Sequence, residues 1–178
     1  ISFESLPVKT FGDPPFELLA NSNSGLPVVL KSLDESKAVV TGNMVSIIGA
    51  GAVIIVASQD GNENYLPAED VSRELTINKA DQTITFDPLP PVNLDEGTFT
   101  LSATSSSMLP ISFSSSDETK VSISGNIVTV KEVGSVTITA AQSGNGNYNA
   151  ASPVSQTFCV NPPAPTITVI ENHGATLL

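Results

Sequence analysis

The chain repeats itself without a gap. Shifted by 83 residues, Ile1 and Phe3 fall on Ile84 and Phe86, Leu6-Pro7 on Leu89-Pro90, and Gly42-Asn43 on Gly125-Asn126. Gly61-Asn62 and Asn64-Tyr65 fall on Gly144-Asn145 and Asn147-Tyr148. Roughly two-fifths of the aligned positions are identical, far above chance for a gapless match. A period near 80 is too long for solenoid units of roughly 20–50 residues and suits a self-contained small domain. The reading is therefore two tandem modules, 1–80 and 81–161, sharing the short junction Asn78-Lys79-Ala80-Asp81-Gln82. Residues 162–178 open with Pro162-Pro163-Ala164-Pro165, a stiff polyproline-type linker. Thr166 to Ile170 then alternates like a strand, as expected of the start of an incomplete further unit.

Within each module the period is two. Val136-Thr137-Ile138-Thr139-Ala140 alternates apolar and polar, as do Val121-Ser122-Ile123-Ser124 and Phe99-Thr100-Leu101-Ser102-Ala103. Turn signals separate the runs: Gly-Asn at 42–43 and 125–126, Asp-Glu at 34–35 and 117–118, and Gly-Asn-x-Asn at 61–64 and 144–147. No stretch combines helical spacing with caps. Six or seven short strands per module, spaced at roughly 8–12 residues, predict an antiparallel β-sandwich. The fold class is all-β: two tandem immunoglobulin-like antiparallel β-sandwich modules.

Composition narrows the function. Seven Lys+Arg against 18 Asp+Glu give a net charge of −11, which argues against binding nucleic acid or an anionic membrane, since both need clustered basic residues. One Cys cannot close an internal disulfide, and one Cys with one His cannot build the usual zinc site. A hydrophobic fraction of 40% with mean hydropathy +0.15 is too apolar for a disordered chain. No run of roughly 18 apolar residues exists, so membrane insertion is not expected. Ile1-Ser2-Phe3-Glu4 shows no signal-peptide pattern and no starting Met, as expected of an excised fragment.

The shared pattern carries a resemblance. It runs Leu-Pro, then Gly-Asn-x-Val, then Gly-x-Val-x-Ile-x-Ala-x-Gln-x-Gly-Asn-x-Asn-Tyr, the last part over Gly51 to Tyr65 and Gly134 to Tyr148. It resembles the bacterial immunoglobulin-like (Big-type) tandem repeats of large secreted and surface adhesin-like proteins. The resemblance implies an extracellular or bacterial cell-surface address and a role in spacing, ligand presentation or adhesion. It supplies no catalytic residues. Its implied partners are neighbouring repeats of the same chain and a protein or glycan ligand. The expected function is a non-catalytic stalk, spacer or adhesion segment; the alternative is an accessory binding module on a secreted enzyme. Carbohydrate platforms usually present Trp or Tyr, and this chain has no Trp and two Tyr.

Few side chains qualify as a site. His173 is the only imidazole and sits in the tail, so no nucleophile is paired with a base. Asp34-Glu35 and Asp117-Glu118 recur, but neighbours along a strand point to opposite faces, and a repeated turn explains them better than paired acid–base chemistry. The calcium candidate is Asp60, Asn62 and Asn64, which offer oxygens at alternate positions. The second copy, Ser143-Gly144-Asn145-Gly146-Asn147, loses the acids and keeps Gly and Asn, which favours a hairpin turn. No cofactor is expected. Tyr65 and Tyr148 read as rings covering a sandwich end, each hydroxyl bonded to backbone.

The two copies differ in one further respect. Parity puts Val53, Ile55 and Ala57 on the core face, with Ile54 and Val56 outward, where the second copy has Thr137 and Thr139. Leu19 against Ser102, Val29 against Ser112 and Ile48 against Lys131 follow the same trend. Leu19, Val29, Ile48, Ile54 and Val56 thus form a candidate partner-contact patch, unless a loop or the junction covers them. Cys159, the counterpart of Thr76, is expected on the outward face.

Overall fold

The computed structural model describes residues 1–165. The alternating runs fold as strands because period-two patterning lets every second side chain enter a core while the backbone pairs sideways. The first repeat has nine: β1 (Ser2–Phe3), β2 (Lys9–Thr10), β3 (Phe16–Glu17), β4 (Ala20–Asn21), β5 (Val29–Ser32), β6 (Ala38–Thr41), β7 (Met44–Ile47), β8 (Gly51–Gln59) and β9 (Ala68–Asn78). The main sheet has the order β2-β9-β8-β5; the facing layer is β3-β7-β6 with the pair β1-β4. All pairings are antiparallel except β2 against β9, where Lys9 faces Ile77.

Nine ranges replace the expected six or seven because two strands are broken. The first leaves β1, passes Leu6-Pro7, and rejoins the other sheet as β2; Pro7 has no N–H to donate to a ladder. The second is interrupted at Leu18-Leu19, where Leu18 turns in at 3% exposure and Leu19 turns out at 66%. This switching first strand and the split of four strands against three give each repeat the immunoglobulin-like arrangement.

The second repeat follows the same order: β10 (Ile84–Phe86), β11 (Val92–Asn93), β12 (Thr98–Thr100), β13 (Ala103–Ser105), β14 (Ser112–Ser115), β15 (Val121–Ser124), β16 (Ile127–Val130), β17 (Gly134–Ala141) and β18 (Val154–Asn161). Its sheets read β11-β18-β17-β14, β12-β16-β15 and β10-β13, the first repeat's order strand for strand. One element departs from the all-strand expectation. Leu94–Glu96 is a short 3₁₀ turn, closed by the Glu96 carboxylate accepting from the Asn93 amide at 2.8 Å.

The chain forms two compact units that do not follow the repeat boundary. The first holds 1–83 with 105–109 and 142–152; among the described residues, the second holds 84–104, 110–141 and 153–165. In the first unit Phe3, Leu18, Ala38, Val45, Val53, Ile55, Ala57, Leu75 and Ile77 form the core, packed between the sheets. In the second, Val121, Val128, Ile138 and Ala140 are fully enclosed, and the Phe86–Phe113 and Phe99–Phe158 ring pairs meet edge-on at 5.6 and 5.7 Å. The segment 166–170, expected as a strand, lies outside the described residues, as does His173.

Candidate functional site

The recurring acids are turn residues. In the first unit Asp34 accepts from Ser36 N at 3.0 Å and from Lys37 Nζ at 2.8 Å, while its carbonyl accepts from the Lys37 and Ala38 amides. Asp117 repeats this in the second unit with Thr119 N at 3.0 Å and a Lys120 ion pair at 3.0 Å. The Lys37 ammonium, helped by the Ser36 hydroxyl, lowers the Asp34 pKa to about 2, and the Thr119 hydroxyl with Lys120 lowers that of Asp117. Both groups are half-buried, paired with a lysine and held ionised, the opposite of a general acid.

A folded pKa below the unfolded value means stability that is present above pH ~4 and lost as pH falls through the folded pKa. Between pH ~4 and ~2, D34N/D117N should therefore lose less stability than the parent chain, while its stability at pH 7 should be lower. Urea midpoints at pH 7 and pH 2.5 check this. Equal acid losses in the two proteins would show that the turns contribute nothing.

The two Gly-Asn-x-Asn-Tyr turns share one geometry. Asn62 Oδ1 accepts from the amides of Asn64 and Tyr65 at 2.9 and 3.0 Å, and Asn145 Oδ1 accepts from those of Asn147 and Tyr148 at 2.8 and 3.0 Å. This Asx turn aims the Asn62 oxygen at backbone N–H groups. Among the described residues, no group of three or more His, Cys, Asp or Glu could hold a metal ion. With the Asn62 oxygen already accepting from two amides, adding calcium to the chelator-treated chain should shift its Tm by less than about 1 °C. A concentration-dependent rise would instead identify Asp60, Asn62 and Asn64 as ligands.

The tyrosines differ from the expected picture. Tyr65 is 51% exposed, whereas Tyr148 is half-buried and meets Phe11 edge-on at 5.4 Å within the first unit. Among the described residues neither hydroxyl has a hydrogen-bond partner. The polar tip stays with solvent and only the ring packs.

The predicted contact residues divide between surfaces of the first unit. Val29, Ile54 and Val56 share the outward face of the main sheet, since Lys31 pairs with Val56 and Val29 with Ser58. Ile54 and Val56 are half-buried, flanked by Lys31, Ser72 and Glu74. Leu19 joins Val29 along a groove of about 460 Å³ that also takes in Val28, Gly42 and Asn43. Ile48 stands apart, in the loop after β7, its amide donating to the Lys37 carbonyl. On the matching face of the second unit, hydroxyls pair across strands instead: Thr137 with Thr157 at 2.7 Å and Thr139 with Ser155 at 2.9 Å.

No family model matches the chain, and no curated protein matches it. Among solved structures, Drosophila N-cadherin EC1-4 aligns at 15% identity and TM-score 0.41, over 90% of this chain and 48% of that one. The insect immune protein hemolin aligns at 11% and 0.42, over 91% and 46%. The S-layer protein SbsC aligns at 16% and 0.37, over 84% and 22%. The chain thus spans about half the length, or less, of these three. The fold class rests on the strand order: tandem immunoglobulin-like β-sandwiches.

One cluster escaped the sequence reading. In the first unit the buried Gln82 amide donates to the Asn149 carbonyl at 2.7 Å and to Gln142 Oε1 at 2.5 Å, while Ser107 Oγ donates to Gln82 Oε1 at 2.5 Å. Gln142 Oε1 also accepts from Gly144 N. Only the shared Gln59 and Gln142 hinted at it, and nothing in the sequence marks Gln82 as their partner. Cys159 is exposed as parity required, opposite Ser135 and between the buried Phe158 and Val160. No helix among the described residues is long and apolar enough to cross a membrane.

Proposed function

We infer that the chain is a non-catalytic segment of a large extracellular protein of the bacterial immunoglobulin-like kind, serving as stalk, spacer or adhesion module. Its modules are 1–80 and 81–161, with 162–178 leading into a further unit. The observation that carries this reading is that the two copies share the same strand order and turn-forming residues, Asp34/Asp117 and Asn62/Asn145, while the outward side chains diverge. Residues retained for folding and varied at the surface suit an array whose units set length. The acidic surface would keep such an array soluble and repel other anionic surfaces.

Force extension of the full chain tests the mechanical part. Two unfolding steps of equal length are expected, each releasing one period, or ~27–30 nm at 3.3–3.6 Å per residue. A single longer step would contradict independent spacer units. The groove along Leu19 and Val29 favours the second reading, an accessory module that holds a polysaccharide or protein for a secreted enzyme. Incubation with insoluble cellulose, chitin and peptidoglycan should leave the chain in the supernatant, and reproducible retention would favour that alternative.

A further inference from the structure

The two Gly-Asn-x-Asn-Tyr turns are formed alike but are not equally occupied. Within the first unit, Asn147 Oδ1 accepts from the Ala50 amide at 2.9 Å, its carbonyl accepts from the Ala80 amide at 2.9 Å, and Lys79 Nζ donates to the Asn145 carbonyl at 2.7 Å. Tyr148 lies on Phe11, and Gln82 is buried against Gln142 and Ser107. The other turn carries the same groups with none of these partners: Asn64 and Tyr65 are exposed, and neither side chain has a hydrogen-bond partner among the described residues.

Its surroundings also match. Ser22 and Ser24 reproduce the Ser105–Ser107 hydroxyl pair, at 2.7 against 3.0 Å. The Ser24 hydroxyl accepts from the Leu26 amide as Ser107 accepts from Leu109, and Gln59 is buried where Gln142 is. Ser107 and Gln142 hold Gln82.

We propose that the Asn64–Tyr65 turn, with Gln59 and Ser24, is a preformed docking site for another copy of this repeat. The occupant is the surface formed by Phe11, Ala50 and the segment 79–82. Asn64 Oδ1 accepts from the incoming Ala50 amide, Tyr65 packs on the incoming Phe11, and the incoming Gln82 enters between Ser24 and Gln59. The turn is rigid before binding, so little conformational freedom is lost on docking, and a short junction raises the effective concentration. The spacer reading enters only in making the partner a repeat; polysaccharide retention would overturn that reading without moving the result below.

With no Trp and two Tyr, tyrosine emission reports on these turns alone. The test extends the full chain by a second copy of residues 1–83 placed before Ile1, which preserves the 83/84 boundary. Y148F, together with Y65F in the added copy, leaves Tyr65 of the original repeat as the sole fluorophore. Its acrylamide quenching constant should fall roughly twofold on extension as a ring contact closes one side, approaching that of Tyr148 in the unextended Y65F chain. F11A in the added copy, or N64A in the original, should raise it again. Far-UV circular dichroism that scales with length shows the added copy folded. An unchanged quenching constant then overturns the proposal, and so does an added copy that fails to fold across an identical junction.

Discussion

Ile55→Ala and Ile138→Ala should each destabilise the repeat that carries the substitution by about 2–5 kcal/mol, the range for removing a large aliphatic side chain from a core that cannot collapse. Both side chains are fully enclosed, at the centres of β8 and β17. Their neighbours Val53, Ala57, Val136 and Ala140 are buried too and are fixed in a ladder, which limits relaxation into the void. For domains of this size 1 kcal/mol corresponds to roughly 4–8 °C in Tm, so a loss of about 8 °C or more is expected. The comparison is Ile54→Thr, one residue away on the outward face, which copies the Thr137 of the other repeat and should stay within about 0.5–1 kcal/mol. Differential scanning calorimetry of the three variants checks the contrast. Equal losses at 54 and 55 would mean that the outward face is packed against something, favouring the covered-patch reading for Val29, Ile54 and Val56.

That contrast was legible in the sequence because strand parity is local. Val53, Ile55 and Ala57 inward, Cys159 outward and the Asn62/Asn145 turns all follow from period-two alternation or from a self-contained turn, with no knowledge of which strands neighbour each other. The repeat helped, since each feature could be read twice. What stayed hidden depends on non-local pairing. Gln82 and Gln142 are far apart in sequence and meet only because the junction and the 142–152 segment share one compact unit. The break at Leu18-Leu19 was hidden because its counterpart Phe99 to Ala103 alternates without interruption, and a switch between sheets at Pro7 leaves no periodic trace. Leu19 and Val29 were both selected for being apolar where the other copy is Ser; their common groove depends on β4 and β5 belonging to different layers. The tyrosine hydroxyls show the converse error, a general habit of buried Tyr applied to rings that keep their tips in water.

The turns give the other large effect. Gly61→Ala and Gly144→Ala should each cost about 2–4 kcal/mol, because two penalties act together. Gly61 and Gly144 hold φ at +77° and +76°, a region that costs an L-residue roughly 1–2 kcal/mol. A methyl group at either position would also run into the chain as it returns. At Gly144 it would strike the Tyr148 carbonyl oxygen and come within 2.8 Å of Asn149 C and 2.9 Å of Ala150 N; at Gly61 it would strike the Tyr65 carbonyl oxygen and come within 2.7 Å of Leu66 C and Pro67 N. These obstacles are backbone atoms pinned by the Asn62–Tyr65 and Asn145–Tyr148 hydrogen bonds, so they cannot rotate away as a flexible side chain would. Gly125→Ala isolates the first penalty: φ is +62° and nothing lies within 4 Å of the added carbon, so about 1 kcal/mol is expected. Urea midpoints for the three variants should therefore order as Gly125→Ala above the other two. If Gly144→Ala matched Gly125→Ala, the turn would have to yield, and a yielding turn could not act as the rigid docking element assigned to Asn64 and Tyr65.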